Sequence, residues 1–438
     1  MEKQLLKKLF DSLNNSECNY CVLRNYETLP ESLGGSDLDL AVLPVEEEAV
    51  YLLIREVVNE YGGGIILEYN GSLTVLRCLG CHQNEWWGLA IDLFSSIQYK
   101  GVEYISTNSL INRAVDYKGI KVANNYDANI VALAKELLTN GKSRKDYFPR
   151  AAELQATIGK NSLVSLQDSF APETVSYFEE ILTAGVEDPD KIGKLVSMMR
   201  HDILGRKSLS KAAARIKNII SRCRRLVHPP GMCIALLGTD GAGKTTMIDA
   251  ITPILEQALH NKIQYEHMRP NWLPAIGVAM GQRAEADGSA VTDPHSHQPS
   301  GFIGSLARLI YYSLDYTVGY WVKIYPRLVK CPHICLFDRY HYDLLLDPRR
   351  MRIALPQWVI RMVLFCAPQP RVVICLGGEP KAIYVRKPET SLVEVRRQVN
   401  ALKAFCTRNS RAVWIDTEGS INNSKNQVMN AFLSKSSK

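Results

Sequence analysis

No apolar run in this chain is both long and uninterrupted. The longest such stretch, Phe302 to Val329, is broken by Arg308, Asp315, Lys323 and Arg327, which excludes a membrane span there and predicts a buried or amphipathic helix. No secretory signal is expected either, because Met1-Glu-Lys-Gln-Leu-Leu-Lys-Lys reads as the start of a charged amphipathic helix and not as an apolar segment. There is no internal repeat and no low-complexity tract, so repeat architectures and compositionally biased tails are excluded. A disulfide framework is lacking too. The 11 cysteines are odd in number and scattered, and Cys233, Cys335 and Cys375 lie inside strand-like apolar runs. That is reduced usage and predicts a cytoplasmic protein. The pairs Cys18/Cys21 and Cys78/Cys81 have C-x-x-C spacing. However, the gap between the pairs is far longer than zinc-finger spacing, and Cys21 opens the apolar run Cys-Val-Leu, so core thiols are the simpler reading.

What is present is a soluble globular balance of 46% hydrophobic and 22% charged residues, in a chain of 438 that is long enough for two or three domains. The net charge of +7 has a local source. Eight Lys/Arg lie between Arg206 and Arg225, and no Asp or Glu occurs from Arg206 to Pro230. Such a segment can meet nucleic acid or an anionic membrane, although a solvated basic linker helix is the simpler reading because no base-reading motif accompanies it. Three parts are visible: mixed strands and helices over 1–155, a helical basic linker over 156–228, and alternating strands and helices over 229–438. The stop His228-Pro-Pro-Gly231 separates the last two. The polar stretch Gly281 to Ser300 is long for a loop, and its His295 and His297 have no partners that would make a metal site.

The densest chemistry is in Gly238-Thr-Asp-Gly-Ala-Gly-Lys-Thr-Thr246, which has the G-x-x-x-x-G-K-T spacing of a phosphate loop. The apolar run Met232–Leu237 before it reads as a strand, and Met247–Ile251 after it as a helix start, which is the context the motif needs. Gly238, Gly241 and Gly243 let the backbone curl its N–H groups toward phosphate oxygens, with Thr239, Asp240, Ala242 and Thr246 completing the loop. Lys244 would neutralise the β/γ-phosphates, and Thr245 would offer a hydroxyl to Mg²⁺. Further strands are expected at Tyr265–Pro270, His333–Tyr340, Arg371–Leu376 and Val413–Asp416. Ligands of a parallel sheet bind at the carboxyl ends of its strands, which gathers Arg269, Asp338 and Arg339 at the loop edge. Asp338 can hold Mg²⁺ or orient an acceptor, Arg269 and Arg339 can fork onto an acceptor phosphate, and Arg386 with Lys387 can close over the transferred group.

The phosphate loop and Asp338-Arg-Tyr340 together resemble the thymidylate kinase family over roughly 231–425. The family's phosphate loop carries an acidic residue before Gly-Ala-Gly-Lys, and one of its strands ends in Asp-Arg-Tyr. Arg269-Pro270 resembles the family's Arg-Glu-Pro-Gly, with Glu and Gly absent here. The resemblance implies Asp240 on the acceptor's sugar, Arg269 and Arg339 on its phosphate, and Arg386 at the lid. Two departures separate the chain from a housekeeping member. The insertion around 275–330 is long, and His341-Tyr-Asp-Leu-Leu-Leu-Asp-Pro-Arg-Arg350 follows the Asp-Arg-Tyr.

In the first part, Gly34-Gly-Ser-Asp-Leu-Asp-Leu-Ala-Val42 puts Asp37 and Asp39 on one face of a strand. Two such carboxylates can hold Mg²⁺, and Asp92 in Leu89-Ala-Ile-Asp-Leu-Phe94 is the expected third. Over roughly 18–150 this resembles the minimal nucleotidyltransferase fold. That fold's Gly-Ser phosphate grip is replaced here by Arg24-Asn25, so Arg24 would supply the grip by charge, or the module binds a ligand without turning it over.

The expected architecture is thus α/β: a C-terminal P-loop parallel-sheet kinase domain preceded by an α+β nucleotidyltransferase-like domain and a helical linker. The expected function is ATP- and Mg²⁺-dependent transfer of the γ-phosphoryl group to a small acceptor, a nucleoside monophosphate or related sugar phosphate. The alternatives are a housekeeping-type dTMP kinase and a non-catalytic ATP-binding scaffold that docks through the basic linker. A homodimer is compatible with each.

Overall fold

The computed structural model describes residues 1–143, 147–158, 163–205, 209–260, 262–274 and 298–436. His295, His297, Arg206 and Lys207 therefore lie outside the described residues. The chain divides into two compact units, Met1–Val227 and His228–Lys438.

The first unit is built on a seven-stranded mixed sheet. Its strands are β1 (Tyr20–Val22), β2 (Leu38–Val42), β3 (Gly63–Asn70), β4 (Thr74–His82), β5 (Glu85–Phe94), β8 (Val115–Tyr117) and β9 (Ile120–Val122), in the order β3-β4-β5-β2-β1-β9-β8. A separate hairpin pairs β6 (Ile97–Tyr99) with β7 (Val102–Ile105). Strand alternation decides which side chains face which layer. Leu38, Leu40 and Val42 pack with the helices Glu2–Asn15 and Glu47–Glu60. Ala41 and Phe94 pack on the other side, with the helices Asn125–Asn140, Pro172–Ala184 and Pro189–Gly205. Those last two helices, read from sequence as part of a linker, are built into this unit's core through Phe178, Leu195 and Met199.

The second unit holds a five-stranded sheet, parallel throughout. Its strands are β10 (Met232–Gly238), β11 (Ile263–His267), β12 (Ile334–Asp338), β13 (Val372–Gly377) and β14 (Ala412–Asp416), in the order β11-β12-β10-β13-β14. The three inner strands are buried along their whole length, as the continuous apolar runs of a sheet covered on both faces require. The sheet order reverses at β10, so the crevice beyond its carboxyl end is the topological switch point. Phe302–Lys330 is helical throughout, as the sequence predicts, with a π-helical segment at Asp315–Ile324 between two α-helical ones.

Candidate active site

The phosphate loop leaves β10 at the switch point and enters the helix Lys244–Leu259. Gly241 and Gly243 take φ of +83° and +85°, a left-handed backbone that disfavours any side chain. A side chain at Gly241 would also meet the Ile383 carbonyl at 2.9 Å and Lys387 Cβ at 3.1 Å, so the helix Pro380–Arg386 sits directly against the loop. Lys244 is buried, not the exposed loop cation a motif alone suggests. Its Nζ donates to the Gly238 carbonyl at 3.0 Å and the Thr239 carbonyl at 3.1 Å. Burial, with Arg339 pushing the same way, lowers its pKa to about 8. Thr245 and Thr246 are exposed on the first helical turn, and the buried Thr239 Oγ1 has no partner among the described residues.

Asp240 is the electrostatic centre of the loop. Arg339 Nη2 donates to its Oδ1 at 2.5 Å, and Arg350 Nη1 donates to its Oδ2. Lys244 Nζ lies 4.0 Å away. Burial alone would raise the Asp240 carboxyl, but Arg339, Lys244 and Arg350 outweigh it and hold it well below the ordinary carboxylate range. Arg339 follows the end of β12 with φ of 70°, uncommon for a residue with a side chain, and its N–H donates to the Leu236 carbonyl at 2.9 Å. That turn carries its guanidinium back to the loop, where it also lies 3.8 Å from the buried Asp343. Burial pushes the Asp343 carboxyl upward.

Asp338, the last residue of β12, is also buried. Its Oδ2 accepts from the Tyr265 hydroxyl at 3.1 Å and lies 3.4 Å from His267 Nδ1. Its Oδ1 has no partner among the described residues. Burial would raise this carboxyl, but His267, Lys244 and Arg339 hold it below its ordinary value. Sequence reading missed Tyr265, His267 and Arg350. The first two alternate on β11 and so share the face toward Asp338. The only signal for Arg350 was an arginine pair shortly after a strand end.

Two expected site residues are engaged elsewhere. Arg269 lies past the end of β11, where the chain turns through Met268 at φ of 67°. It pairs with the fully buried Asp315 at 2.9 Å, and Asp315 also accepts the Trp272 and Leu273 N–H groups. Its guanidinium therefore pins a turn to the π-helical segment instead of standing ready for an acceptor phosphate. Arg386 donates to the Thr417 carbonyl at 3.0 Å, tying its helix to the segment after β14. The neighbouring cation Lys387 is the one beside Gly241, and it pairs with Glu389 at 2.9 Å.

In the first unit the three expected carboxylates do gather. Asp39 lies opposite Asp92 on the parallel pair β2–β5. Asp37 lies 3.6 Å from the guanidinium of Arg77, whose Nη1 donates to Asp92 at 2.9 Å. Arg77, 1% exposed, projects from β4 to the face that carries Asp92. Arg24 Nε donates to Asp39, and its Nη1 to the Tyr147 hydroxyl at 3.4 Å. Burial, with Arg24 pushing the same way, outweighs Asp39 and Asp92 and lowers the pKa of Lys135 on the helix Asn125–Asn140. As arranged, the charge of each carboxylate is met by a cation of the chain itself. Among the described residues no group of three or more His, Cys, Asp or Glu side chains is placed to hold a metal. The expected Mg²⁺ site at Asp37, Asp39 and Asp92 thus takes the form of an internal ion network, and Arg24 is bound up in it. An arginine inside the apolar run Leu73–Leu79 was the unread signal for Arg77. The Cys21 and Cys78 thiols are buried and pushed up to about 12 by burial, which fits core packing.

No protein-family model matches the chain, and no curated protein matches it by sequence. Among solved structures it is similar to thymidylate kinase from Ehrlichia chaffeensis, at 16% identity and a TM-score of 0.32, over 46% of this chain and 97% of that one. It is similar also to thymidylate kinase from Candida albicans, at 16% identity and a TM-score of 0.34, over 46% of this chain and 90% of that one. At this degree of likeness neither neighbour assigns a substrate.

Proposed function

We propose that the unit His228–Lys438 is an ATP- and Mg²⁺-dependent phosphotransferase acting on a small phosphorylated acceptor, a nucleoside monophosphate or related sugar phosphate. The observation that carries this reading is the buried Lys244 inside a left-handed glycine loop at the switch point, with Asp240, Arg339 and Asp338 gathered at the same strand ends. The residues fit the groups they would hold. Bound Mg²⁺-ATP would supply the activated phosphoryl group. The loop N–H groups and the start of the helix Lys244–Leu259 favour anionic phosphates, and Lys244 would leave its two carbonyl partners for phosphate oxygens. Asp338, with an unpartnered buried oxygen, and Thr245, with an exposed hydroxyl, are the candidate Mg²⁺ holders. Asp240 holds Arg339 and Arg350 as a two-pronged cation suited to a phosphate-bearing acceptor.

The appended first unit, nucleotidyltransferase-like in its sequence motifs, is read as a binding module. Arg77 and Arg24 already compensate the carboxylates that would otherwise hold metal for transfer. Acceptor profiling with the full chain tests the proposal, using nucleoside monophosphates in one arm and sugar phosphates in the other. Turnover of a sugar phosphate, or of a nucleoside monophosphate other than dTMP, supports it. Turnover of dTMP alone would favour the housekeeping alternative, and tight ATP binding with no acceptor turned over would favour the scaffold.

A further inference from the structure

The last helix of the first unit, Leu209–Val227, is amphipathic with its faces reversed. Its half-buried positions Arg215, Asn218, Ser221 and Arg225 are polar. Arg215 donates to the Leu204 carbonyl, and the Arg225 guanidinium lies 4.8 Å from the centre of the Tyr69 ring. The opposite stripe carries the apolar side chains. Ile216, Ile219, Ile220 and Val227 are exposed to 57%, 59%, 62% and 70%, with exposed Cys223 between them. At 3.6 residues per turn these positions fall on one face. Lys217 and Arg224 border that face on one side and Arg222 on the other. No acidic residue interrupts the sequence from Arg206 to Pro230.

We propose that this helix docks flat on an anionic lipid surface. An exposed apolar stripe of this length marks a surface that is covered in use, and the charges around it select the cover. A second copy would bring the same cations against these with no carboxylate to pair them. A nucleic acid would engage the cations and leave the isoleucines in water. An anionic bilayer takes both, with the isoleucines below the headgroups and the cations among them. Lys217, Arg222 and Arg224, exposed beside the stripe, suit a segment that lies on a membrane, and no described helix is long and apolar enough to cross one. The inference does not depend on the phosphotransferase reaction.

The test is flotation of the full chain with phosphatidylcholine vesicles, with and without phosphatidylglycerol. It compares wild type, Ile219→Ser with Ile220→Ser, and Arg222→Gln with Arg224→Gln. All four side chains are exposed, so thermal melts should match wild type and exclude misfolding as the cause of any loss. Wild type should float only with the phosphatidylglycerol vesicles. The isoleucine pair should weaken binding about tenfold or more, and the arginine pair about fivefold per cation, with added salt weakening it further. Wild type failing to float, or the isoleucine pair floating as wild type does, would overturn the proposal. Binding to duplex DNA without binding to either vesicle would overturn it in favour of a nucleic-acid partner.

Discussion

Burial takes the Lys244 ammonium out of water while Arg339 repels it, so its pKa falls from 10.5 to about 8. A cation whose folded pKa lies below its unfolded value costs stability wherever it is charged. That cost is whole below about pH 8 and fades as pH rises from there to about 10.5. Phosphate oxygens reverse the balance by favouring the charged form. ATP binding should therefore take up a proton near pH 8 to 9, and ATP affinity should fall with rising pH above about 8, by up to about tenfold per unit. Calorimetry in buffers of different ionisation heat reads both effects, and affinity constant across that range would contradict the assignment. At Arg77 the balance is structural. Arg77→Met removes the cation that Asp92 pairs with in the sheet and should cost about 3–5 kcal/mol in urea unfolding. Burial already raises the Asp92 carboxyl above its ordinary value. The charged form is therefore the costly one, and part of the variant's loss should be recovered as pH falls through that raised value. An unchanged urea midpoint would show that Arg77 carries no such burden.

At the scale of elements, the site is a junction of the phosphate loop, the end of β12 and the segment Pro348–Met351, clamped by Asp240 through Arg339 and Arg350. Arg339→Ala should raise the acceptor KM while leaving ATP affinity at neutral pH nearly unchanged. Asp338→Asn should mainly lower kcat. Because Arg339 also depresses Lys244, Arg339→Ala should move the ATP affinity profile toward higher pH, a shift that a purely local acceptor role would not produce. The strands β10, β12 and β13 were legible because each is a short apolar run bounded by turn residues, and the glycine loop was legible because its chemistry is local in sequence; β11, Ile-Gln-Tyr-Glu-His, is no such run, and it lies two residues earlier than the sequence suggests. What the sequence concealed is long-range. Arg269 was assigned by strand-end logic, but its partner Asp315 lies 46 residues on, in a helix that the sequence announces without saying what it packs against. Asp37 and Asp39 were found by alternation, and Asp92 as the third carboxylate expected of a neighbouring strand. Arg77, which meets two of them, comes from a different strand pairing whose register no motif announces.

For the whole molecule, the division at Val227/His228 separates two cores, each with its own sheet. Unfolding followed by calorimetry should show two transitions, and Mg²⁺-ATP should raise only one. At a ligand excess of about a hundredfold over Kd the stabilisation should be about 2.7 kcal/mol, and it should vanish in Lys244→Ala. The most direct measurement of the central claim is a single-turnover assay with the full chain, γ-labelled ATP, Mg²⁺ and a panel of nucleoside and sugar monophosphates. The account predicts label on a small acceptor with wild type, and transfer slower by several orders of magnitude with Lys244→Ala. Label appearing only as inorganic phosphate, or Lys244→Ala transferring as fast as wild type, would contradict it.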